Sequence, residues 1–197
     1  FDEHVSKSVP GYNEGHELIL SLSDYFLSKD DSLIVDIGSA TGSLIHKLQA
    51  RNANKSLKYL GVDPVEEMCS KAATRSFLKP DEIEFSCSDF NDLEIKEKVS
   101  VFISYYTLQF VHPSIRQEVI NKIFLNLDWG GALFLFEKIR APDARFQDFI
   151  TQAYNDYKLK KGYSIEEIFN KTESLRGILE PFSEQGNIDL LKRAGFK

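Results

Sequence analysis

Cysteine and histidine are scarce in this sequence of 197 residues, and neither has the spacing of a metal site. Cys69 and Cys87 form no CxxC pair, so we expect two reduced thiols rather than a zinc ligand set or a disulfide framework. The four histidines are scattered, and His16-Glu17 is not followed by the second histidine of a zinc protease motif. The sequence therefore gives no reason to expect a metal.

Positive charge and long apolar runs are also in short supply. Lys and Arg total 24 against 30 Asp and Glu, and the resulting net charge of -6 disfavours a general nucleic-acid binder. No apolar run approaches the roughly 18 residues of a membrane helix, and no signal peptide or lipidation motif is recognisable. We expect a cytoplasmic protein with no direct contact to nucleic acid or membrane. The basic and aromatic stretch 158–163 (KLKKGY) is interpreted as a solvated helix end.

The chain does contain a regular alternation of strand-like and helix-like segments between residues 32 and 140. This order predicts an α/β protein with a parallel sheet covered by helices on both faces. We expect one domain, 1–197, with a sheet core at 32–140 and a helical segment at 143–191 that is a candidate lid. The predicted strands are 32–38, 58–63, 83–89, 99–106 and 132–139.

Helix signals fill the remaining segments of the chain. Pro64 and Pro113 stand where first helical residues belong, and Ser164 opens a capping box. A turn is predicted at 128–131 (DWGG), and Gly195 is expected to end the last helix. The other predicted helices cover 14–27, 41–52, 143–158 and 188–194.

Ligands of an open parallel sheet bind at the carboxyl ends of its strands, so these ends are the first places to inspect. Residues 36–42 read D-x-G-x-x-x-G between a strand and a helix, and Gly38 would let a ligand approach the backbone. This is neither a Walker A loop nor G-x-G-x-x-G, which disfavours a dinucleotide. A tight turn that only requires glycine is the alternative interpretation.

Acidic residues end the next two strands. Asp63 stands 25 residues after Gly38, where a carboxylate can accept both ribose hydroxyls of an adenosyl ligand. Asp89 could accept from the adenine amino group, and Phe90 could pack on the adenine ring. Asp63 is equally suited to cap a helix, and Asp89 to be a solvated turn acid, so both alternatives stay open.

Taken together, these strand ends resemble class I S-adenosylmethionine-dependent methyltransferases, and more closely the carboxy-S-adenosyl-L-methionine synthase family. Four stretches carry the resemblance, which spans nearly the whole chain: 8–12, 107–110, 130–138 and 162–168. That family makes carboxy-S-adenosylmethionine from S-adenosylmethionine and prephenate for tRNA wobble-uridine modification. The resemblance implies a Rossmann-like fold, S-adenosyl-L-methionine as cofactor, a homodimer, and two sheet strands that follow the segment 193–196 in the family.

The resemblance also assigns cofactor contacts, to which the strand-end residues Asp36 and Tyr105 are added. The residues it assigns are Tyr12, Gly38, Ser39, Ala40, Asp63, Pro64, Asp89 and Phe90.

Two departures from the family affect the expected chemistry. The family has Asn where this chain has Tyr105, and it has Arg, which holds the transferred carboxylate, where this chain has Thr172. Threonine cannot replace a bidentate cation. Arg176 lies one helical turn further and either serves the carboxylate or forms a surface ion pair with Glu173.

Three functions are consistent with these residues. The first hypothesis is methyl transfer from S-adenosylmethionine to a small, partly apolar acceptor, because Thr172 replaces the family arginine and the tyrosines give an aromatic-rich pocket. The second is retained carboxy-S-adenosylmethionine synthesis with Arg176 on the carboxylate, and the third is a non-catalytic module that binds S-adenosylmethionine or S-adenosylhomocysteine. The residues expected in the acceptor pocket are Tyr106, Tyr163, Thr172 and Arg176, together with Tyr12 and Tyr105.

Overall fold

Five strands form one fully parallel sheet in the computed structural model, which describes all 197 residues. The sheet order is β3-β2-β1-β4-β5. Successive strands are therefore added toward one edge of the sheet from β1 to β3 and toward the other edge from β4 to β5, and the switch point lies between β1 and β4. All five predicted strands are present, and each ends one to three residues earlier than expected. The strands are β1 (Leu33–Ile37), β2 (Lys58–Val62), β3 (Ile83–Ser86), β4 (Val99–Tyr105) and β5 (Leu127–Phe136).

Eight α-helices surround the sheet, and the first of them was not predicted from the sequence. Ser164 forms the predicted capping box with Glu167, and Gly195 ends the last helix at a φ of 113°. The helices are α1 (Asp2–Ser8), α2 (Tyr12–Ser23), α3 (Ser43–Arg51), α4 (Glu66–Ala73), α5 (Arg116–Asn126), α6 (Ala144–Lys160), α7 (Ile165–Ser174) and α8 (Glu184–Ala194).

Three local predictions need correction. Helix α4 begins at Glu66 with Val65 as its N-cap, two residues later than the proline signal indicated. Pro113 opens a short 3-10 turn, Pro113–Ile115, and α5 follows it. The predicted turn at 128–131 is a bulge within β5, because the pairing passes from Leu127 opposite Val99 to Ala132 opposite Val101.

The core has two parts, one on each face of the sheet. Ile34 of β1 packs with α2 and α3 on one face, whereas its neighbours Leu33 and Val35 pack with α5 and α8 on the other. This alternation follows from the two-residue period of a strand, and it explains why β1 is buried along its whole length. Helices α6 and α7 contribute no buried residue. No helix is long and apolar enough to cross a membrane.

Candidate active site

A cavity of about 1650 Å³ opens at the carboxyl ends of the strands, where the fold predicts a ligand. Helices α1 and α2 bound it on one side, and α6 and α7 bound it on the other. Twelve of the fourteen predicted site residues line it: Tyr12, Asp36, Gly38, Ser39, Ala40, Asp63, Pro64, Tyr105, Tyr106, Tyr163, Thr172 and Arg176.

The loop after β1 is held tightly against the neighbouring strands. The amides of Gly38 and Ser39 donate to the Val62 carbonyl at 2.7 and 3.1 Å. Gly38 has a φ of +73°, and a Cβ atom there would lie 2.2 Å from Thr107 Oγ1. Glycine at this position is therefore required by packing alone, so the tight-turn interpretation is correct whether or not a ligand also uses the loop.

Asp63 joins this loop to the end of β2. Its Oδ2 accepts from the Ala40 amide and its Oδ1 from the Val65 amide, each at 2.9 Å. The bond from the Val65 amide closes a local turn at Asp63, whereas the N-cap of α4 is Val65, two residues later. The helix-capping alternative for Asp63 is therefore wrong. Each carboxylate oxygen keeps one acceptor site, which leaves Asp63 able to take two hydroxyl groups from a ligand.

Asp36 is a buried carboxyl group whose charge no protein group neutralises. It is 2% exposed and lines the cavity at the end of β1. Burial, with a smaller contribution from Asp63, raises the pKa of Asp36 to about 8. Neither a hydrogen bond nor a cation counteracts this rise. The carboxyl group is thus placed to pair with a cation that enters the cavity.

Four aromatic side chains form the wall next to Asp36. The centre of the His16 ring lies 4.8 Å from the centres of both the Tyr12 and Tyr105 rings, and the Tyr106 ring centre lies 4.9 Å from that of Tyr105. Burial lowers the pKa of His16 to about 4, so the imidazole is neutral at pH 7, and its Nδ1 has no partner. No motif in the sequence points to His16, which lies on the second turn of α2.

The stretches 107–110 and 130–138 of the resemblance meet in one turn beside the cavity. Glu137 accepts from the amides of Leu108 and Gln109 at 2.8 and 2.9 Å. Gln109 in turn accepts from the Lys138 amide and donates to the Tyr106 carbonyl. Burial raises the pKa of Glu137 to about 8 despite these hydrogen bonds. Both stretches therefore build the scaffold that aims Tyr106 and Lys138 into the cavity.

Asp89 and Phe90 are not brought into the cavity. Asp89 is exposed and accepts from the Asn91 amide at 2.8 Å, as a turn acid does. The Phe90 ring is buried in the core, 6.1 Å from the Phe102 ring and under the ammonium of Lys122. The expected packing of Phe90 on adenine is therefore corrected, because the ring fills the core on the α5 face of the sheet.

Comparison with known proteins gives a consistent answer along the whole chain. Residues 34–131 match the methyltransferase domain family. The chain is 34% identical over 197 residues to the carboxy-S-adenosyl-L-methionine synthase of Nautilia profundicola, covering all of this chain and 82% of that protein. It is 37% identical over 198 residues to the enzyme of the same name from Campylobacter jejuni, with the same two coverages. The chain belongs to the carboxy-S-adenosyl-L-methionine synthase family. It is a transferase enzyme, as the resemblance implied.

Solved structures confirm the predicted fold. The plantazolicin methyltransferase BpumL superimposes with a TM-score of 0.71 at 16% identity, covering 98% of this chain and 66% of that one. Human N-acetylserotonin methyltransferase superimposes with a TM-score of 0.61 at 17% identity, covering 93% of this chain and 46% of that one. The Rossmann-like methyltransferase architecture is therefore shared across proteins of very different sequence.

Tyr105, where the resemblance implies Asn in the family, is a packing residue as well as a cavity residue. Its hydroxyl donates to the Tyr12 carbonyl, and its ring lies against Gly15, whose absent Cβ leaves the necessary room. Burial raises the pKa of Tyr105, so the phenol stays protonated. This side chain fixes α2 to the end of β4 and narrows the cavity at that point.

Thr172, where the resemblance implies an arginine in the family, provides no cation. Its hydroxyl donates to the Ile168 carbonyl at 2.9 Å within α7. Arg176, in the turn that follows α7, pairs with Glu173 of that helix, and its side chain is 76% exposed at the edge of the cavity. Of the two alternatives for Arg176, the structure shows the surface ion pair.

The cavity's outer wall is tied together by two tyrosines. The Tyr163 hydroxyl donates to the His4 carbonyl at 3.1 Å, and the Tyr154 hydroxyl donates to the Ser8 carbonyl at 2.8 Å. These bonds join the helical segment to α1, more than 140 residues away in sequence. The segment therefore covers the strand ends instead of standing apart from them.

Proposed function

We propose that this protein transfers the methyl group of S-adenosylmethionine to a small-molecule acceptor bound in the same cavity. Asp63 would accept from the ribose hydroxyls, and the loop carrying Gly38 would lie against the rest of the cofactor. Asp36 would pair with the ammonium group at the amino-acid end. The fit is supported by Asp36 itself, because a buried carboxyl group without a partner suits a ligand that brings a positive charge.

One observation favours methyl transfer over carboxyl transfer. Thr172 stands where the resemblance implies the family arginine, and Arg176, in the turn after α7, is paired with Glu173. A transferred carboxylate would lose its bidentate partner there, at a cost on the order of a few kcal/mol. A methyl group requires no such partner.

The cofactor's sulfonium centre supplies an activated methyl group when it is bound. The residues of this chain then have to align the acceptor with that methyl group and exclude water. The wall formed by Tyr12, Tyr105 and Tyr106 is suited to this task, because aromatic rings held by packing position a flat or apolar acceptor. Tyr163 would close the opposite side.

Mass spectrometry with isotopically labelled S-adenosylmethionine and a panel of small-molecule acceptors tests the proposal. We expect labelled methyl to appear in an acceptor and S-adenosylhomocysteine to accumulate. Asp63→Ala should abolish both, whereas Asp81→Ala, at an exposed position outside the cavity, should leave them unchanged. Cofactor binding without transfer to any acceptor would contradict methyl transfer.

Carboxy-S-adenosylmethionine synthesis is the second candidate, and identities of 34–37% to synthases over the full chain favour it. Its test is mass spectrometry of the protein as purified. A bound cofactor heavier than S-adenosylmethionine by the mass of carbon dioxide would support it. Loss of that species in the Arg176→Ala variant would show that Arg176 binds the carboxylate. Arg176 would then have to leave Glu173, with which it is paired in this structure, when the cofactor binds.

A further inference from the structure

His16 is a buried histidine of the cavity wall whose ring makes no hydrogen bond within the protein. It is 2% exposed, and its Nδ1 atom is buried without a partner. A buried polar nitrogen without a partner costs free energy, and such atoms are rare in folded proteins. A leucine or phenylalanine would fill the same space without this cost. Packing alone therefore does not explain a histidine at this position.

The surroundings of His16 place its imidazole where an acceptor would lie. The ring packs between Tyr12 and Tyr105 and lines the cavity beside the end of β4. These two aromatic contacts hold the ring at the wall. No hydrogen bond fixes which ring nitrogen faces the cavity, so either one can be turned toward a ligand. The imidazole is thus a polar group ready for binding within an otherwise aromatic wall.

The imidazole is in the neutral form that can accept a hydrogen bond. Burial lowers the pKa of His16 to about 4, the charge of Lys47 on α3 lowers it further, and the charge of Asp2 on α1 opposes both effects. A neutral imidazole carries one N–H group and one nitrogen lone pair. That lone pair can accept a hydrogen bond and then a proton.

A hydroxyl group is the acceptor chemistry that suits such a weak base. As a bond forms between a hydroxyl oxygen and the transferred methyl carbon, the remaining proton on that oxygen becomes strongly acidic, so a weak base is sufficient to take it. An amine has no such requirement, because its methylated product keeps its protons as a stable ammonium.

We propose that His16 binds the hydroxyl group of the acceptor and takes its proton during methyl transfer, which makes the acceptor a small alcohol or phenol. This inference rests on the proposed function. The hydroxyl oxygen attacks the methyl carbon, the carbon–sulfur bond breaks with its electron pair on sulfur, and the proton passes to a ring nitrogen of His16. The products are a methyl ether, S-adenosylhomocysteine and an imidazolium. The positive charge lost from sulfur reappears on His16, so the net charge in the cavity is unchanged.

Other groups of the cavity that could take a proton are engaged elsewhere. Asp63 and Glu137 accept from backbone amides, and Asp36 is the partner proposed for the cofactor's ammonium. His4 also lines the cavity, but it is exposed on α1 and packs against Tyr163. His16 is therefore the basic group of the inner wall that is available to the acceptor.

Calorimetry with protein saturated with S-adenosylhomocysteine tests hydroxyl binding, with phenol as the probe and fluorobenzene as its counterpart without a hydroxyl group. We expect phenol to bind at millimolar concentrations and fluorobenzene to bind about tenfold more weakly. His16→Phe should abolish this difference while it keeps the affinity for S-adenosylhomocysteine and does not lower the free energy of unfolding. The control His46→Phe, on α3 outside the cavity, should keep the difference.

Methyl transfer from labelled S-adenosylmethionine to phenol and to 4-nitrophenol tests the proton transfer. His16→Phe should slow transfer to phenol by at least about 100-fold. It should slow transfer to 4-nitrophenol by less than about tenfold, because this phenol ionises near neutral pH without a base. A residue that only shapes the cavity would slow both reactions equally, and an equal loss would overturn the role of His16 as a base.

The binding result and the transfer result fail separately. Equal binding of phenol and fluorobenzene to the wild-type protein, or an undiminished preference for phenol in His16→Phe, would overturn the hydroxyl site. Methylation of amines but of neither phenol would overturn the choice of a hydroxyl acceptor. If labelled methyl reaches no acceptor of any kind, the proposed function is contradicted, and the phenol titration still decides whether His16 binds a hydroxyl group.

Discussion

Asp36→Asn should stabilise the protein while it weakens binding of the cofactor. The carboxyl group is buried at the end of β1 with no hydrogen bond or cation from the protein, so its ionised form is costly in the ligand-free state. Asparagine has nearly the same shape and carries no charge. The same substitution removes the group that we propose pairs with the cofactor's ammonium.

The magnitude follows from the pKa of about 8 in place of the ordinary 3.8. Each tenfold change in a protonation equilibrium corresponds to roughly 1.4 kcal/mol, so the full cost of ionising Asp36 is at most about 6 kcal/mol. A carboxyl group whose pKa is raised by folding leaves the folded state with more bound protons than the unfolded state. Stability therefore falls as pH rises from about 4 to 8, by up to about 1.4 kcal/mol per pH unit, and Asp36→Asn removes this fall.

Urea unfolding at pH 5 and pH 8 measures the effect, with Asp81→Asn at an exposed position as the control. We expect the stabilisation by Asp36→Asn to be larger at pH 8 than at pH 5, and the control to show no such difference. S-adenosylmethionine affinity should rise with pH up to about 8 in the wild-type protein and be about 10- to 100-fold weaker in Asp36→Asn. If Asp36→Asn destabilises the protein equally at both pH values, the argument that Asp36 is an uncompensated buried acid is refuted.

Three further predictions follow from contacts around the cavity. Gly38→Ala should lower the free energy of unfolding by about 2 to 4 kcal/mol in thermal or urea unfolding, because the new methyl group meets Thr107. The control Gly130→Ala, also at positive φ but in open space, should lower it by only about 1 to 2 kcal/mol, and equal losses would contradict the packing argument. Tyr105→Phe should cost about 1 kcal/mol, since it removes the hydrogen bond to α2, and a loss near zero in urea unfolding would show that the bond contributes nothing. Arg176→Ala should change stability by less than about 0.5 kcal/mol and leave S-adenosylhomocysteine affinity measured by calorimetry unchanged, because its ion pair is exposed; a large loss of affinity would assign it to the site.

Much of the fold was predictable because its signals are local. Each buried strand is a short apolar run, and the D-x-G-x-x-x-G loop and Asp63 stand directly after strands, so their positions at one edge of a parallel sheet follow from topology. The capping box at Ser164 and the terminating Gly195 depend on neighbouring residues only, and both are observed. The residues 128–131 predict a turn, whereas β5 continues through them as a bulge, because local residues do not reveal how far a neighbouring strand continues.

The charges and packing of the site were decided by the tertiary structure. Asp36 is uncompensated because no cation from any other segment reaches it, and Phe90 is withdrawn from the cavity because the core on the α5 face accepts its ring. Lys158, expected at a solvated helix end, instead lines the cavity and meets Lys138 at the Tyr154 ring, because α6 packs back over the end of β5. The sequence by itself determined the order of strands along the chain and the residues that stand at their carboxyl ends. Which of those residues stay charged, exposed or paired depended on contacts between distant segments, and only folding brings these together.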